Sequence, residues 1–427
     1  MVIRYLVAAS LMTAAGFGAT KSSPPVTFNK DVLPILQERC QTCHRAGEVA
    51  PMPLRTYEEA RPWASAIKEA VLLKRMPPWF ADPHASKGFS NDRSLSKQEI
   101  ETIVAWADGG AAEGDTEAKP EPVEFVDGWN IGEPDVVFEM QKEFEVPAEG
   151  VVEYQYLVIP SGFREDKWVE RAEIRAGNRA VLHHVIVFVR PPESTYIGEA
   201  KAGEFFVPAK YDEKKKEKRN DKREFLIGFA PGTVPEELEP GQAKLIPAGS
   251  DFVLQLHYTP NGKAATDKSY FGLVFAKEPP QKRVVTMAVS TDDFVIPAGA
   301  PNHRVDAQMK IKDDMTLTAM LPHMHLRGKA FEYRVVFPDG RKETLLRVPR
   351  YDFNWQLSYY LEEPVLLPKG ARIECTAWYD NSANNPQNPD PANEVRYGDQ
   401  SWEEMMFGFF DASFPVEDEK QEKAGAE

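Results

Sequence analysis

The stretch Phe331-Glu332-Tyr333-Arg334-Val335-Val336-Phe337, followed by the turn residues Pro338-Asp339-Gly340, indicates how most of this chain folds. Apolar and charged side chains alternate at its start, and aromatic and β-branched residues dominate, which is typical of a strand with one buried face. The Pro-Asp-Gly turn then leads into a further strand. Similar runs occupy residues 151–159, 167–174, 185–189 and 252–258. Repeated short strands separated by turns predict antiparallel β-sandwiches.

The rest of the chain divides around this strand-rich region. Residues 25–110 have helical periodicity, including a candidate helix over 57–74 and another that a capping box at Ser96 and Glu99 opens. Residues 111–122 are acidic and rich in Ala, Glu and Pro, as in an interdomain linker. A Glu-Pro-Pro break at 278–280 separates two sandwich regions, 123–280 and 281–415, and residues 416–427 have the composition of a disordered tail.

Length, charge and the first residues set the class of protein. A chain of 427 residues suggests about three domains. A net charge of −15 with no basic stripe argues against nucleic-acid binding. Residues 1–20 have a single Arg4 followed by a short apolar run, which indicates a secretory signal peptide. We therefore expect an exported protein, periplasmic or extracellular, with no membrane span in its mature form.

The residues Cys40-Gln41-Thr42-Cys43-His44 form the attachment motif of a c-type haem. Two thiols can add to the haem vinyl groups, and the adjacent imidazole can bind the iron. A redox-active cysteine pair would be expected in a βαβ context, which is absent, and a zinc site needs further ligands at matching spacing. The only other cysteine is Cys375, which we expect to be a small buried apolar residue.

Helices around an attached haem resemble a small class I cytochrome c, and the resemblance covers residues 25–110. It implies a methionine sulfur as the second iron ligand, which raises the reduction potential. We favour Met76, because the two prolines that follow it can hold a loop rigid over the haem. Met52, eight residues beyond His44, is the other candidate.

Five of the eight histidines lie in three groups within the strand-rich region: His183 and His184, His257, and His323 and His325. The last pair has strand spacing, so both rings emerge from the same face. Adjacent strand residues point to opposite faces, so the first pair can share a metal only at a bulge or a strand end. Grouped imidazoles suit copper, zinc or iron. Spacing alone therefore predicts a metal without naming it.

Four stretches together carry a resemblance to a known family. They are Val181-Leu182-His183-His184-Val185-Ile186-Val187-Phe188, Leu254-Gln255-Leu256-His257-Tyr258, Pro322-His323-Met324-His325-Leu326-Arg327-Gly328-Lys329-Ala330-Phe331-Glu332-Tyr333-Arg334-Val335 and Ser401-Trp402-Glu403-Glu404-Met405. In this order they resemble the copper type II, ascorbate-dependent monooxygenases, which include the peptidylglycine α-hydroxylating and dopamine β-monooxygenases. The resemblance covers residues 123–414 and implies two copper-bearing jelly-roll domains. The expected fold class is thus multidomain: a small all-α cytochrome c-like domain followed by two all-β antiparallel jelly-roll sandwiches.

The resemblance implies two copper sites. Its expected ligands are His183, His184 and His257 for the electron-transfer copper, and His323, His325 and Met405 for the copper at which oxygen binds and the substrate C–H bond is attacked. Gln255 also matches a family position near the first copper. A thioether is a soft ligand that favours Cu(I), so Met405 separates copper from zinc. The neighbouring Met406 is the residue most easily confused with it.

The chain departs from the family at two substrate positions. Peptide-oxidising members place an arginine two residues before the first histidine of the His-x-His motif and a tyrosine four residues after the ligand methionine. Leu321 and Phe409 stand there in this chain. Both changes remove polar anchors for a substrate carboxylate, so we expect a less polar substrate than a C-terminal glycine peptide. The disulfides of the animal enzymes are also missing.

These features predict an exported copper-dependent monooxygenase that hydroxylates a C–H bond of a small organic molecule with O2. The fused haem c would pass electrons to the two coppers from an external donor, either an ascorbate-like reductant or another periplasmic redox protein. The alternative is a non-enzymatic haem and copper protein that carries electrons or handles copper. In a third interpretation, the sandwiches are ligand-binding modules with incidental histidines.

Overall fold

The computed structural model describes residues 25–48, 50–126, 128–208, 221–233 and 235–416. The predicted signal segment, residues 1–20, and residues 417–427 of the predicted tail lie outside these ranges. Strands dominate the described part, and its helices all precede residue 119. None of the described helices is long and apolar enough to cross a membrane.

The helices belong to a small N-terminal part, which we call the helical head (residues 25–78 and 92–126). They are α1 (Leu33–Arg39), α2 (Tyr57–Ala60), α3 (Ala64–Leu72) and α4 (Lys97–Asp108), with a π-helical turn at Phe28–Val32 and 3-10 turns at Arg61–Trp63 and Thr116–Ala118. The predicted capping box opens α4: Ser96 Oγ accepts a hydrogen bond from the Glu99 N–H, and the Glu99 carboxylate accepts one from the Ser96 N–H. The helix predicted over 57–74 is interrupted at Pro62, which has no N–H to donate.

Large apolar side chains fill the core of the helical head. Phe28, Ile103 and Trp106 are fully buried, and the rings of Phe28 and Trp106 lie 5.7 Å apart. The indole N–H of Trp106 donates to the Ala112 carbonyl at 3.0 Å. The segment predicted as a linker therefore begins packed against the helices rather than as a free tether.

The strands of the first sandwich, in chain order, are β1 (Val136–Glu139), β2 (Phe144–Val146), β3 (Gln155–Pro160), β4 (Lys167–Arg175), β5 (Leu182–Arg190), β6 (Phe205–Phe206), β7 (Glu224–Phe229), β8 (Glu236–Glu237), β9 (Gln242–Ile246), β10 (Asp251–Tyr258), β11 (Ala265–Asp267) and β12 (Tyr270–Phe275). One sheet runs β1-β12-β4-β9, and the facing sheet runs β6-β3-β10-β5-β7. Apolar residues of both sheets share one buried core, among them Leu157, Val187, Phe252 and Leu273.

The strands of the second sandwich are β13 (Lys282–Ser290), β14 (Val295–Ile296), β15 (His303–Lys310), β16 (Met315–His323), β17 (Gly328–Val336), β18 (Lys342–Val348), β19 (Tyr359–Leu367), β20 (Arg372–Tyr379), β21 (Val395–Arg396) and β22 (Phe407–Pro415). One sheet runs β13-β22-β16-β19, and the other runs β15-β20-β17-β18. The alternating stretch at 331–337 lies in β17, which pairs with β18 across the predicted turn. Cys375 is fully buried in this core, as predicted.

The two sandwiches and the helical head are joined by more than the covalent chain. Strands β9 and β13 pair in parallel, so the first sheets of the two sandwiches form one continuous nine-stranded sheet. Residues 79–91 leave the helical head and pack on the second sandwich. There Phe89 forms a bridge with Leu361, and the Ser90 N–H donates to the Tyr360 carbonyl at 2.9 Å.

The prediction of an N-terminal helical part followed by a strand-rich part is confirmed. The assignment of the strand-rich part to the jelly-roll class, and that of the helical head to the cytochromes c, stay predictions.

Candidate metal centre between the two sandwiches

Two neighbouring strands bring the first three histidines together, a set we call the first histidine group (His183, His184 and His257). His184 on β5 lies opposite His257 on β10, and the next pairing joins Leu182 to Tyr258, so His183 is the extra residue of a β-bulge. The ring centroids of His183 and His184 lie 5.0 and 4.9 Å from that of His257. The bulge that shared ligation requires is therefore present.

The first histidine group can hold one metal ion. One ring nitrogen of each residue lies within 4.8 Å of the others, and no other such group of three or more His, Cys, Asp or Glu side chains occurs in the described ranges. His183 Nε2, His184 Nε2 and His257 Nδ1 are buried without a hydrogen-bond partner among the described residues. Burial lowers the pKa of His183 to about 4 and that of the other two well below the ordinary range. The folded protein therefore keeps the neutral imidazoles that metal binding requires.

The second pair of histidines lies where β16 ends, with ring centroids 5.2 Å apart. His323 Nδ1 lies 2.7 Å from Gln356 Oε1, and His325 Nδ1 lies 3.2 Å from the Glu403 carbonyl. Because both partners accept hydrogen bonds, Nδ1 of each ring carries the proton, which leaves both Nε2 atoms free as ligands. Burial lowers the pKa of His323 to about 4 and that of His325 well below its ordinary value, and His325 Nε2 is buried without a partner in the described part of the chain.

Met405 comes from the segment that precedes β22. Phe407, the first residue of that strand, pairs with His323, so Met405 lies two residues before the position opposite His323. The segment is fixed: Glu404 carboxylate oxygens accept hydrogen bonds from the N–H of His325 at 2.9 Å and of Arg327 at 2.6 Å. We call His323, His325 and Met405 the second group.

Met405 and Met406 differ in their surroundings. Met406 is fully buried within the apolar core of the second sandwich. Met405 is 8 % exposed and lies outside that core. The Met406 side chain therefore belongs to the apolar core, whereas that of Met405 does not.

The two groups adjoin across the boundary between the sandwiches. The rings of His184 and His323 lie 6.5 Å apart. Phe353 stacks on His183 at 4.9 Å and meets His325 edge-on at 6.0 Å. The structure thus gathers all five predicted histidines in one cluster.

A cavity opens beside this cluster, with walls from both sandwiches. His184, Ile186 and Phe225 line it from the first sandwich, and Leu321, His323 and Phe409 from the second. The two residues that depart from the peptide-oxidising pattern, Leu321 and Phe409, therefore face the same space as a histidine of each group. Polar side chains also line it, among them Glu236, Thr286, Gln356 and Asp411. Gln255, which matches a family position, donates to the hydroxyl of Tyr156.

The Cys-x-x-Cys-His motif follows α1. His44 Nδ1 lies 3.1 Å from the Met52 carbonyl, a contact that orients the ring. Burial raises the pKa of the Cys40 thiol to about 12 and also raises that of Cys43. Redox-active cysteine pairs need a lowered thiol pKa, so this environment disfavours a thioredoxin-like role.

The two methionine candidates lie in different places. Met52 packs in the core of the helical head and orients His44 through its carbonyl oxygen. Met76 lies where the chain leaves for the second sandwich, just before Trp79, which packs 4.8 Å from Tyr359. The Met76 N–H donates to the Ala70 carbonyl at 3.4 Å, and the role of Met76 as an iron ligand stays a prediction.

The haem motif lies against the first sandwich. Glu48, just beyond the motif, forms ion pairs with Arg45 at 3.1 Å and with Arg179, which precedes β5. On the same side of the helical head, Arg93 donates to the Gly232 carbonyl at 3.0 Å. The motif therefore faces the end of the strand that carries His183.

Comparisons with known proteins add no family. The sequence matches no protein-family model, and it matches no curated protein. Among solved structures, one of infectious bursal disease virus Gx strain covers 68 % of this chain and 84 % of its own, with 8 % identity and a TM-score of 0.17. The match to PNGF-II covers 65 % of this chain and 60 % of the PNGF-II chain, with 10 % identity and a TM-score of 0.20. The match to Bacillus subtilis oxalate decarboxylase covers 73 % of this chain and 93 % of the decarboxylase chain, with 8 % identity and a TM-score of 0.13.

Three residues of the cluster were not predicted: Tyr154, Phe353 and Gln356. Tyr154 precedes β3, and the other two lie between β18 and β19. All three contact the histidines. Phe353 and Gln356 do so from a loop, where no periodicity identifies a buried side chain, and Tyr154 lies in the run 151–159, whose pattern predicted a strand but no contact with the histidines. Only their aromatic or amide character in a turn-rich stretch hinted at a role.

Proposed function

We propose that this protein is an exported copper-dependent monooxygenase that hydroxylates a C–H bond of a small, mainly apolar molecule. The overall reaction is RH + O2 + 2 e⁻ + 2 H⁺ → ROH + H2O. The first histidine group would hold one copper and the second group the other. Bound copper would supply electron transfer and oxygen chemistry, and the haem c in the helical head would supply the electrons.

One observation carries the proposal: four buried ring nitrogens without partners, in a cluster built by both sandwiches. They belong to His183, His184, His257 and His325. A buried polar group without a hydrogen bond costs about 1–3 kcal/mol. Evolution retains such a cost where another ligand satisfies the nitrogen, and lowered pKa values keep these rings neutral and ready to bind a metal.

Met405 favours copper over zinc for the second group. Zinc sites use Cys, His, Asp and Glu, whereas thioether sulfur suits Cu(I). The position of Met405 outside the apolar core is consistent with this role.

The cavity beside the cluster supports a substrate of low polarity. Leu321 and Phe409 contribute apolar surface next to His184 and His323. A substrate held there would have its reacting carbon close to the histidines and shielded from water. An electron carrier needs no such cavity, so this observation favours the enzyme over the non-enzymatic alternative.

The contact of the haem motif with the first sandwich supports electron delivery to the first histidine group. Arg179, the ion-pair partner of Glu48, precedes His183 by four residues. Four residues span at most about 14 Å, so haem and histidines would be near neighbours. The electrons would come from an external ascorbate-like reductant or another periplasmic redox protein.

The test begins with the purified, haem-containing full chain reduced in the presence of copper. We expect two copper ions per chain, and O2 consumption coupled to a hydroxylated product when small apolar candidates are screened. Copper binding and reversible haem oxidation without any product would favour the electron carrier. Failure to bind copper would leave the sandwiches as ligand-binding modules.

Electron delivery has its own control. The variant Cys40→Ala, Cys43→Ala lacks covalent haem but keeps both sandwiches. With the same external donor, its coppers should be reduced more slowly than those of the wild type in stopped-flow measurements. Equal rates would remove the haem from the electron path.

A further inference from the structure

Tyr154 is a buried phenol that contacts both histidine groups. Its ring lies 5.3 Å from His184 and 4.6 Å from His257, and 6.3 Å from His325 of the second group. The side chain is 2 % exposed, and its hydroxyl has no hydrogen-bond partner among the described residues. The position is unusual, because buried tyrosines nearly always satisfy their hydroxyl.

Other buried tyrosines near the cluster follow that rule. Tyr258 donates its hydroxyl hydrogen to Asp267 Oδ2 at 2.9 Å, Tyr351 to the Met324 carbonyl at 2.8 Å, and Tyr379 to the Met405 carbonyl at 2.7 Å. The unsatisfied hydroxyl of Tyr154 is therefore a local exception and coincides with the place where the two histidine groups meet.

The backbone of Tyr154 is held by the segment that carries Met405. Its N–H donates to Oε1 of Gln400 at 3.0 Å, five residues before Met405 in the sequence. The ring and the backbone of this first-sandwich residue thus contact residues of both sandwiches.

We propose that Tyr154 is a further ligand-binding residue of the centre, whose hydroxyl donates a hydrogen bond to a small anion or oxygen species held beside His325. This inference rests on the proposed function, because it assumes copper in the second group. It assigns to the first sandwich a direct part in the site that the second sandwich builds, so neither sandwich alone would form a complete site.

The test uses azide as the probe, on full-length haem-containing protein loaded with oxidised copper. Tyr154→Phe keeps the ring and removes only the hydroxyl. Azide affinity, followed by absorbance titration, should fall about tenfold, as expected from the loss of one hydrogen bond to a charged acceptor. The copper content should remain that of the wild type.

Tyr258→Phe is the matched control, because it removes a buried hydroxyl that donates to Asp267 and belongs to a side chain in the core of the first sandwich. It should leave azide affinity unchanged but lower the melting temperature of the metal-free protein, because the buried Asp267 carboxylate loses one hydrogen-bond donor. Tyr154→Phe should not lower that melting temperature, because no hydrogen bond is lost.

The outcomes separate the two hypotheses. Copper loading with equal azide affinity in wild type and Tyr154→Phe overturns the role of Tyr154 and leaves the proposed function standing. A wild type that takes up no copper overturns the proposed function, and this inference with it. A lower melting temperature for metal-free Tyr154→Phe also counts against the inference, because it would reveal an internal partner for the hydroxyl.

Discussion

Met405 and Met406 offer a matched pair of variants that differ in one physical respect. Both are buried methionines in successive positions, but Met406 packs in the apolar core, whereas Met405 lies outside it, two residues before the position opposite His323. Replacing each by leucine keeps the volume and removes the sulfur. The pair therefore isolates the role of the Met405 thioether from that of packing.

The expected magnitudes follow from these surroundings. Each leucine variant should change the free energy of unfolding of the metal-free protein by less than about 1.5 kcal/mol, because the swap conserves volume. Met405→Leu should weaken Cu(I) binding at one of the two sites by at least about tenfold. Loss of a residue that only hydrogen-bonds to a metal ligand already lowers metal affinity by about that factor, and Met405 is proposed as a ligand itself. Met406→Leu should bind both coppers normally. Met406→Ala should cost about 2–5 kcal/mol of stability through the cavity it leaves.

The assay combines three measurements on each variant: Cu(I) competition titration against a chromophoric chelator, urea unfolding, and substrate-dependent O2 consumption. Met405→Leu should retain the haem spectrum and the fold while losing turnover. If Met405→Leu kept wild-type Cu(I) affinity, or if Met406→Leu lost a copper, the assignment of the sulfur ligand would be wrong.

Three further predictions concern single features of the chain. Burial lowers the pKa of His323 from 6.5 to about 4, so the unfolded chain takes up the proton first as the pH falls. In urea unfolding of metal-free protein, the stability of wild type relative to His323→Gln should therefore fall by about 3 kcal/mol between pH 7 and pH 4, and a constant difference would contradict the pKa shift. His44→Ala should alter the haem absorption spectrum while both coppers remain bound, because His44 lies in the helical head; loss of copper by elemental analysis would show that the two parts are not independent. Arg179→Glu should slow haem-to-copper electron transfer in stopped-flow measurements by breaking the ion pair with Glu48, and adding Glu48→Arg should restore it; unchanged rates in the single variant would place the electron path elsewhere.

The sequence predicted the elements of this fold better than their arrangement. Alternating and apolar runs located β3, β4, β5, β10 and β17 to within four residues at each end, because side-chain periodicity reports burial directly. The excursion of residues 79–91 onto the second sandwich was not predicted. Its hydrogen bonds reach residues 345–362, and no local pattern encodes a partner so distant in the chain.

The candidate site shows the same division. The histidines could be identified from the sequence, and sharing of a metal by His183 and His184 required a bulge or a strand end, of which β5 contains the bulge. The residues that orient or adjoin them, Tyr154 and Gln356, could not, because their contacts with the histidines are made between segments distant in the chain. The two groups adjoin, with the rings of His184 and His323 6.5 Å apart. Their proximity depends on how the two sandwiches pack against each other, which periodicity does not determine.

The most direct test of the whole account is X-ray absorption of the Cu(I)-loaded full chain together with its copper content. Five imidazoles gathered where the sandwiches meet, with Met405 as the proposed sulfur ligand, predict two copper ions per chain and a sulfur neighbour to copper that disappears in Met405→Leu. A single copper ion or none, or a copper environment of nitrogen alone in the wild type, would contradict it.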